Sequence, residues 1–156
     1  MKKCPLCEKE SVHEKKVRDY KYPTPMGLIT IEGHTKLEEC KNCKEIFIPG
    51  ALINEWNHLV LKRLSKKQSR FTPHELQFIF SILPYSQAEL AQATGKERST
   101  LTKYKTGENP LDPLFEDILQ QILIDHLAGK ETTLERLKER SRFIFENEKL
   151  SRLKLN

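Results

Sequence analysis

The stretch QAELAQATGKERSTLTKYKTG (residues 87–107) predicts two short helices joined by a tight turn. Ser86 is a natural N-cap, and Glu89 three residues later completes a capping box that satisfies backbone N–H groups at the start of the first helix. Gly95 stands where that helix must end, because the backbone there needs a left-handed residue. Ala91 supplies the small side chain required where two helices cross closely. Together these signals are typical of a helix-turn-helix.

The second helix of this stretch has two different faces. Leu101 and Tyr104, three residues apart, predict its buried side. The opposite side carries only cationic or hydrogen-bonding groups, namely Arg98, Ser99, Thr102 and Lys103. Such groups bind base edges and phosphate oxygens, so the pattern favours binding to double-stranded DNA. An αα-hairpin in a packed bundle, with a solvated charged face, is the alternative.

In its register, QAELAQ followed by glycine and then RSTLTKY, the stretch resembles the XRE/Cro-type domain of phage repressors. The resemblance covers roughly residues 72–128. It implies that Gln87 binds a backbone phosphate. It also implies that Arg98, Ser99 and Lys103 reach the bases.

Helices are also predicted on both sides of this stretch. Thr72 is an N-cap, Pro73 fits the first helical position, and Glu75 closes a second capping box. An apolar stripe follows at helical spacing, formed by Leu76, Ile79, Phe80 and Leu83. Asp112 and Pro113 start a later helix, which carries two adjoining rows of apolar residues. A small domain does not need two such rows on one side of a helix. The surplus indicates either a homodimer core or a surface covered by the last helix.

Four cysteines form two matched C-x2-C pairs, Cys4 with Cys7 and Cys40 with Cys43. Two such pairs supply the four sulfur ligands of a closed structural zinc site, so one structural Zn²⁺ ion per chain is predicted. The 32 residues between the pairs must hold structure of their own. Two strands are predicted there, at residues 12–22 and 28–37, separated by a turn rich in proline. The result is a zinc ribbon with an inserted β-hairpin.

Other uses of the cysteines fit less well. A redox C-x-x-C motif needs a βαβ context, which the sequence lacks. His13 and His34 can each replace a thiolate, but four cysteines already complete a tetrahedron, so both histidines are predicted to be ordinary surface residues. A catalytic zinc ion keeps one open position near a general base, and four cysteine ligands leave none. No enzymatic activity is expected.

The segment after the second cysteine pair changes to a helical pattern. From Pro49 onward the apolar positions follow helical spacing, at Leu52, Trp56, Leu59, Val60 and Leu64. This helix leads into KRLSKKQSR (residues 62–70), which carries five cations and no acidic residue. The segment is interpreted as a solvated basic linker between domains. A basic strap that lies along DNA phosphates is the alternative.

Residues 130–156 predict a final basic, amphipathic helix. Thr132 and Glu135 indicate a third capping box at its start. Its apolar face is imperfect and consists of Leu134, Leu137, Phe143, Ile144 and Phe145. Dimerisation, packing against the preceding domain and docking on a partner protein all fit this pattern.

Composition limits the class and location of the protein. A hydrophobic content of 37% and a charged content of 31% suit a soluble, folded protein, and no apolar run is long enough to span a membrane. No signal peptide precedes the first cysteine. A cytoplasmic location is therefore expected, where cysteines bind metal more often than they form disulfides.

The net charge of +5 is unevenly distributed. Residues 1–70 carry a net charge of +6, residues 71–128 a net charge of −4, and residues 129–156 a net charge of +3. The presumed DNA-binding domain is therefore acidic overall, which counts against the simplest interpretation. Its four basic residues all fall between the turn and Gly107, namely Lys96, Arg98, Lys103 and Lys105. Positive charge is thus predicted to be focused on one helix.

The order of these features predicts an α+β fold. A zinc-ribbon domain at residues 1–49 is followed by a helical basic linker at 50–70, an all-α XRE-type helix-turn-helix domain at 71–129 and a C-terminal amphipathic helix at 130–156. Two C-x2-C pairs around a hairpin, followed by the stretch 87–107, resemble the MqsA/YgiT family of bacterial antitoxins. The resemblance covers roughly residues 1–110. It implies a type II toxin–antitoxin function, in which the zinc domain blocks a small toxic ribonuclease and a dimeric DNA-binding domain represses its own operon.

Three functions are weighed on these grounds. The first is a DNA-binding transcriptional repressor that is also the antitoxin of a small protein toxin and associates with the nucleoid when bound to its operator. The second is a zinc-containing transcription regulator without a toxin partner. The third, a zinc-dependent nuclease, has no open metal site or activated nucleophile to support it. A homodimer on an inverted-repeat operator is expected, because one recognition helix reads only a few base pairs.

Overall fold

A computed structural model of the chain describes residues 2–130 and 132–142. The described residues form an antiparallel sheet of four strands in sequence order: β1 (Lys2–Lys3), β2 (Glu10–Thr24), β3 (Gly27–Cys40) and β4 (Ile46–Phe47). Six helices follow within the same described ranges: α1 (Gly50–Ser65), α2 (Pro73–Ile82), α3 (Gln87–Thr94), α4 (Arg98–Thr106), α5 (Pro113–Leu127) and α6 (Thr132–Arg142). The predicted α+β class is confirmed.

Strands β2 and β3 form one long hairpin, which extends the two predicted strands at both ends. A bulge interrupts it after Arg18, and the half-buried positions of β2 change there from odd to even numbers. Asp19 adopts φ 53° at the bulge, and its carboxylate accepts a hydrogen bond of 2.8 Å from the N–H of Gly33. The bulge therefore divides the hairpin into an inner half, near the cysteines, and an outer half, near the turn.

The outer half of the hairpin packs against α1. The ring of Tyr20 stacks on that of Trp56 with centroids 5.7 Å apart, and Tyr22 meets the same indole edge-on at 5.2 Å. The Tyr22 hydroxyl donates a 2.9 Å hydrogen bond to Oδ1 of Asn57. Aromatic contacts of this kind add to the stabilisation gained from burying the rings. The hairpin is thus attached to the helices as well as to the cysteine pairs.

Helix α1 and the basic segment behind it belong to the helical core. Leu61 and Leu64 are buried in the same apolar cluster as α2–α5. In the segment predicted to be a solvated linker, Lys67 lies 2.6 Å from a carboxylate oxygen of Glu75. Arg70 pairs in the same way with Glu116 of α5, 2.8 Å away. The sequence predicts a solvated linker, but these two cations form ion pairs with the helical core. The exposed cations that remain in the segment are Lys62, Arg63 and Lys66.

The helical core is built largely as the sequence predicts. Two of the three predicted capping boxes are present, at Thr72 with Glu75 and at Ser86 with Glu89. The stripe on α2 is formed by Leu76, Phe78, Ile79 and Leu83, while Phe80 is only partly buried. On α5 the buried residues are Phe115, Leu119, Ile122 and Leu123. Helices α1 and α6 pack against α5, but Leu114 near its start stays 73% exposed, so the apolar surface of α5 is covered only in part within the described residues.

Helix α6 begins differently from the prediction. Thr132 is its first helical residue, and the acceptor at its start is Asp125 of α5, which receives the N–H of Thr133 at 3.0 Å. Leu134 is buried, and Lys138 forms a 3.0 Å ion pair with Glu89 of α3. The predicted apolar residues at positions 143–145 lie outside the described residues. Among the helices that the structure describes, none has the length and apolar character needed to cross a membrane.

Candidate metal centre and nucleic-acid interface

The four predicted cysteine ligands come together at the base of the hairpin. Their sulfur atoms all lie within 4.8 Å of one another. The Sγ atoms of Cys4 and Cys43 are 3.7 Å apart, and those of Cys7 and Cys40 are 3.6 Å apart. A tetrahedral zinc ion with Zn–S bonds of about 2.3 Å separates its sulfur ligands by about 3.8 Å, whereas a disulfide needs about 2.05 Å. The cluster can therefore hold a metal ion, and its donor set is consistent with zinc.

The two cysteine pairs have the same backbone geometry. In each pair the N–H of the first cysteine, Cys4 or Cys40, donates to the carbonyl five residues later. The carbonyl of that cysteine accepts from the N–H four residues later. The residue at this fourth position is left-handed in both pairs, with φ 59° at Glu8 and φ 62° at Lys44. Two equivalent turns thus aim four sulfur atoms at one point.

The pKa values of Cys40 and Cys43 are shifted in opposite directions. The hydroxyl of Ser11, 2.9 Å from the sulfur of Cys40, and the N–H of Cys43 lower the pKa of Cys40 to about 6. The N–H of Glu45 lowers the pKa of Cys43, but lost hydration and the three neighbouring thiols outweigh it and raise that pKa to about 12. A divalent cation would balance the charge of all four thiolates.

Ser11 also belongs to this centre, although no local sequence pattern marks it. The pairing of Val12 with Cys40 in the hairpin brings Ser11 beside the sulfur, and no spacing rule expresses that register. The two histidines lie outside the cysteine cluster, as predicted. His34 is exposed, whereas His13 is half-buried with its Nε2 3.7 Å from Glu39, so His13 is not the ordinary surface residue that was expected.

The helix, turn and helix predicted for residues 87–107 are present as α3, a left-handed turn and α4. Gly95 has φ 66° and Gly107 has φ 78°, each at the end of a helix. Leu90 and Ala91 of α3 are buried, and so is Leu101 of α4. The two helices are therefore fixed against each other by their apolar sides.

The polar side of α4 faces solvent. Arg98, Ser99, Thr102 and Lys103 are all exposed. Lys96, which was counted among the focused charges, lies in the turn and forms an ion pair with Asp112, and the bond to that carboxylate raises the pKa of Lys96. Among the described residues neither Arg98 nor Lys103 has such a partner. The free positive charge of this face is therefore smaller than predicted. Arg98 and Lys103 are its exposed cations, and the half-buried Lys105 places its ammonium 6.0 Å from the centre of the Phe80 ring.

Gln87 connects the two helices of this unit. Its Nε2 donates to the carbonyl of Arg98 at 3.0 Å and to the hydroxyl of Thr102 at 2.7 Å. Both amide hydrogens are therefore used, and the remaining Oε1 accepts hydrogen bonds but has none to donate to a phosphate. In this arrangement Gln87 positions α4, and its side chain reaches a phosphate only by giving up one of these bonds.

Replacing Gln87 with alanine is expected to loosen α4 from α3. Two hydrogen bonds are lost, each worth roughly 0.5–1.5 kcal/mol, so the free energy of unfolding should fall by roughly 1–3 kcal/mol. Urea unfolding of the full chain followed by circular dichroism measures this effect. Gln92→Ala is the matched control, because Gln92 is exposed on the same helix. Equal losses for the two variants would contradict the positioning role.

Acid is expected to weaken the start of α3 through Glu89. The N–H of Ser86 and the ammonium of Lys138 lower the pKa of Glu89 from 4.5 to about 2. A folded-state pKa below the unfolded value means that the stabilisation is complete above about pH 4.5 and is lost as the pH falls towards 2. Glu89→Gln should therefore be less stable than the unsubstituted chain at pH 7 and nearly equal to it near pH 2. A difference in melting temperature that stays constant with pH would argue against this role.

Comparisons with family models, with curated proteins and with solved structures find no match to this chain. The residues of the chain define an α+β protein with a four-cysteine centre able to bind a metal ion at the base of a hairpin. A helical core carries the exposed polar face of α4 at a separate place.

Proposed function

We propose that this protein is a sequence-specific DNA-binding transcriptional repressor that contains one structural zinc ion. The observation that carries the proposal is the contrast between the two sides of α4. Its apolar side is fixed, since Leu101 is 0% and Tyr104 6% exposed. Its other side presents two exposed cations without ion-pair partners among the described residues, together with two hydroxyl groups. A rigid helix with such a face matches the requirements of base readout in the major groove.

The two cations have different roles in this proposal. Arg98 is the first residue of α4, and the N-terminal residues of a recognition helix reach deepest into the groove. Its guanidinium can bind O6 and N7 of guanine with two parallel bonds, and Ser99 beside it can pair with either base. Lys103 lies five residues later, about 140° further around the helix, so it reaches a different base or a phosphate.

A homodimer on an inverted repeat completes the DNA-binding proposal. The nine residues of α4 read only a few base pairs, and two-fold symmetry is the usual route to higher specificity. Half-sites are expected about one helical turn apart, roughly 34 Å, or at a multiple of it. Light scattering that shows a monomer both free and on DNA would rule this arrangement out.

The metal centre has a structural role in the proposal. Bound zinc would link the two ends of the hairpin through Cys4, Cys7, Cys40 and Cys43. Four thiolates complete a tetrahedral shell, so no position is left for a water molecule or a substrate. The chain is accordingly proposed to be a regulator and not an enzyme.

The proposed cellular role rests on the resemblance to the MqsA/YgiT family. On that basis the protein is the antitoxin of a type II pair and binds a small protein toxin while it represses its own operon. Co-purification from the native host tests this part, since an antitoxin brings a small partner in stoichiometric amount. Purification of the chain alone favours the alternative, a zinc-containing regulator without a toxin.

Selection from a random duplex library tests the DNA-binding proposal. The full chain, loaded with zinc, is expected to enrich an inverted repeat, whatever the identity of a toxin. The same selection with an Arg98→Ala, Lys103→Ala double variant is the control and should enrich no such repeat. A wild-type chain that enriches no sequence would overturn the proposal.

A further inference from the structure

An open groove runs between the outer half of the hairpin and α1. Its volume is about 710 Å³, which lies in the range typical of small-molecule sites. The floor is apolar and is formed by Met26, Ile29, Ile31, Trp56, Leu59 and Val60. Ile29 and Ile31 are directly paired with Tyr22 and Tyr20 across the hairpin, the two rings that contact Trp56. The groove therefore has a fixed shape, set by packing on both sides.

One end of the groove is cationic. Arg63, Lys66, Lys67 and Glu75 line it there. Lys67 and Glu75 neutralise each other at 2.6 Å, and Glu75 also caps α2. Arg63 and Lys66 are exposed and have no ion-pair partner in the part of the chain that the structure describes. Two positive charges are therefore left at one end of the apolar groove.

We propose that this groove binds a small amphipathic carboxylate, a molecule with an aliphatic body and one anionic head. The body would lie on the isoleucines and Trp56, and the head would meet Arg63 and Lys66. Charge complementarity favours an anion over a neutral or cationic molecule of the same length. A DNA phosphate would meet the same two cations but gains nothing from the apolar floor. The site is separate from the cysteine cluster and from the polar face of α4.

Trp56 gives a direct signal for occupancy, because it is the only tryptophan in the chain and part of the groove floor. Decanoate, added to the full zinc-loaded chain without DNA, is expected to change the fluorescence in a saturable way with one site per chain. Decanol and decyltrimethylammonium have the same chain length without the negative charge. They should bind at least about tenfold more weakly, since a hydrogen bond to a charged group is lost.

Matched variants distinguish the binding of the anionic head from the binding of the aliphatic body on the groove floor. Arg63→Gln and Lys66→Gln should each weaken decanoate binding several-fold and leave decanol binding unchanged, whereas Lys62→Gln, also exposed on α1, should alter neither. Leu59→Gln should weaken both molecules. Leu28→Gln is its control, because Leu28 is 66% exposed and lies outside the groove.

Two results would overturn the proposal. One is equal binding of decanoate and decanol, unaffected by Arg63→Gln. The other is a saturable change in Trp56 fluorescence with an acidic amphipathic peptide but none with decanoate, which would make the groove a protein-docking surface.

Discussion

Removal of the proposed zinc ion is expected to unfold the hairpin while helices α2–α5 keep their structure. The apolar cluster around the cysteines is very small, with Cys4, Val12 and Cys40 buried and Cys7 and Phe47 beside them. Apart from a bound ion, the cysteine end of the hairpin is held mainly by strand pairing, as between Val12 and Cys40, and by this small cluster. Binding free energies of structural zinc in zinc-finger peptides are about 10–16 kcal/mol, and that binding energy becomes folding energy. The helical core has its own apolar cluster, so its stability does not depend on the free energy of zinc binding.

The fluorescence of Trp56 and the circular dichroism of the chain together measure the extent of this unfolding. Chelation should shift the Trp56 emission to the red, because Tyr20 and Tyr22 leave the indole, while the helical signal largely remains. Cys40→Ser should behave in the same way in the presence of zinc. Lys41→Ser places the same residue at the neighbouring exposed position and should have little effect. An N-terminal half that stays folded after complete removal of the metal would contradict this account.

The second large effect is expected at the polar face of α4. Arg98→Ala and Lys103→Ala should each cost about 1–3 kcal/mol on the selected duplex, or about 5- to 150-fold in affinity. The two side chains project in different directions, so their losses should be nearly additive in the double variant. Neither side chain takes part in an ion pair among the described residues, so folding stability should change by less than about 0.5 kcal/mol.

Arg98→Lys distinguishes base readout from simple attraction to phosphate. Lysine keeps the charge but lacks the planar fork that binds guanine at two points. The variant should retain affinity for scrambled duplexes and lose preference at one position in each half-site. If Arg98→Lys keeps the full preference, Arg98 is not a base-reading residue and the docking of α4 has to be revised.

Signals that are local in sequence predicted much of this structure. Capping boxes at Thr72 and Ser86, the left-handed Gly95 and the spacing of the cysteines each depend on residues within a few positions of one another. Such features are encoded in the backbone preferences of a short segment. The helix boundaries in the core and the four clustered cysteines therefore followed from the sequence.

Features that depend on tertiary contacts were missed. The hydrogen bonds from Gln87 to α4 join residues 11 and 15 positions apart, and Lys96 meets Asp112 16 positions away. Both interactions alter the predicted DNA-binding face. The first occupies the amide hydrogens of Gln87, which was predicted to bind a phosphate, and the second neutralises Lys96. The packing of the hairpin on α1 is likewise a long-range contact. Periodicity indicates which side of a helix is buried, but not what covers it.

The affinity of the full zinc-loaded chain for its selected duplex, compared with a scrambled duplex of the same composition, tests the central claim most directly. The measurement is made near physiological salt, because phosphate contacts alone weaken steeply as salt rises. A sequence-specific repressor should bind the selected duplex at least about 10³-fold more tightly than the scrambled one. Equal affinity for the two duplexes would contradict the claim that α4 reads DNA sequence.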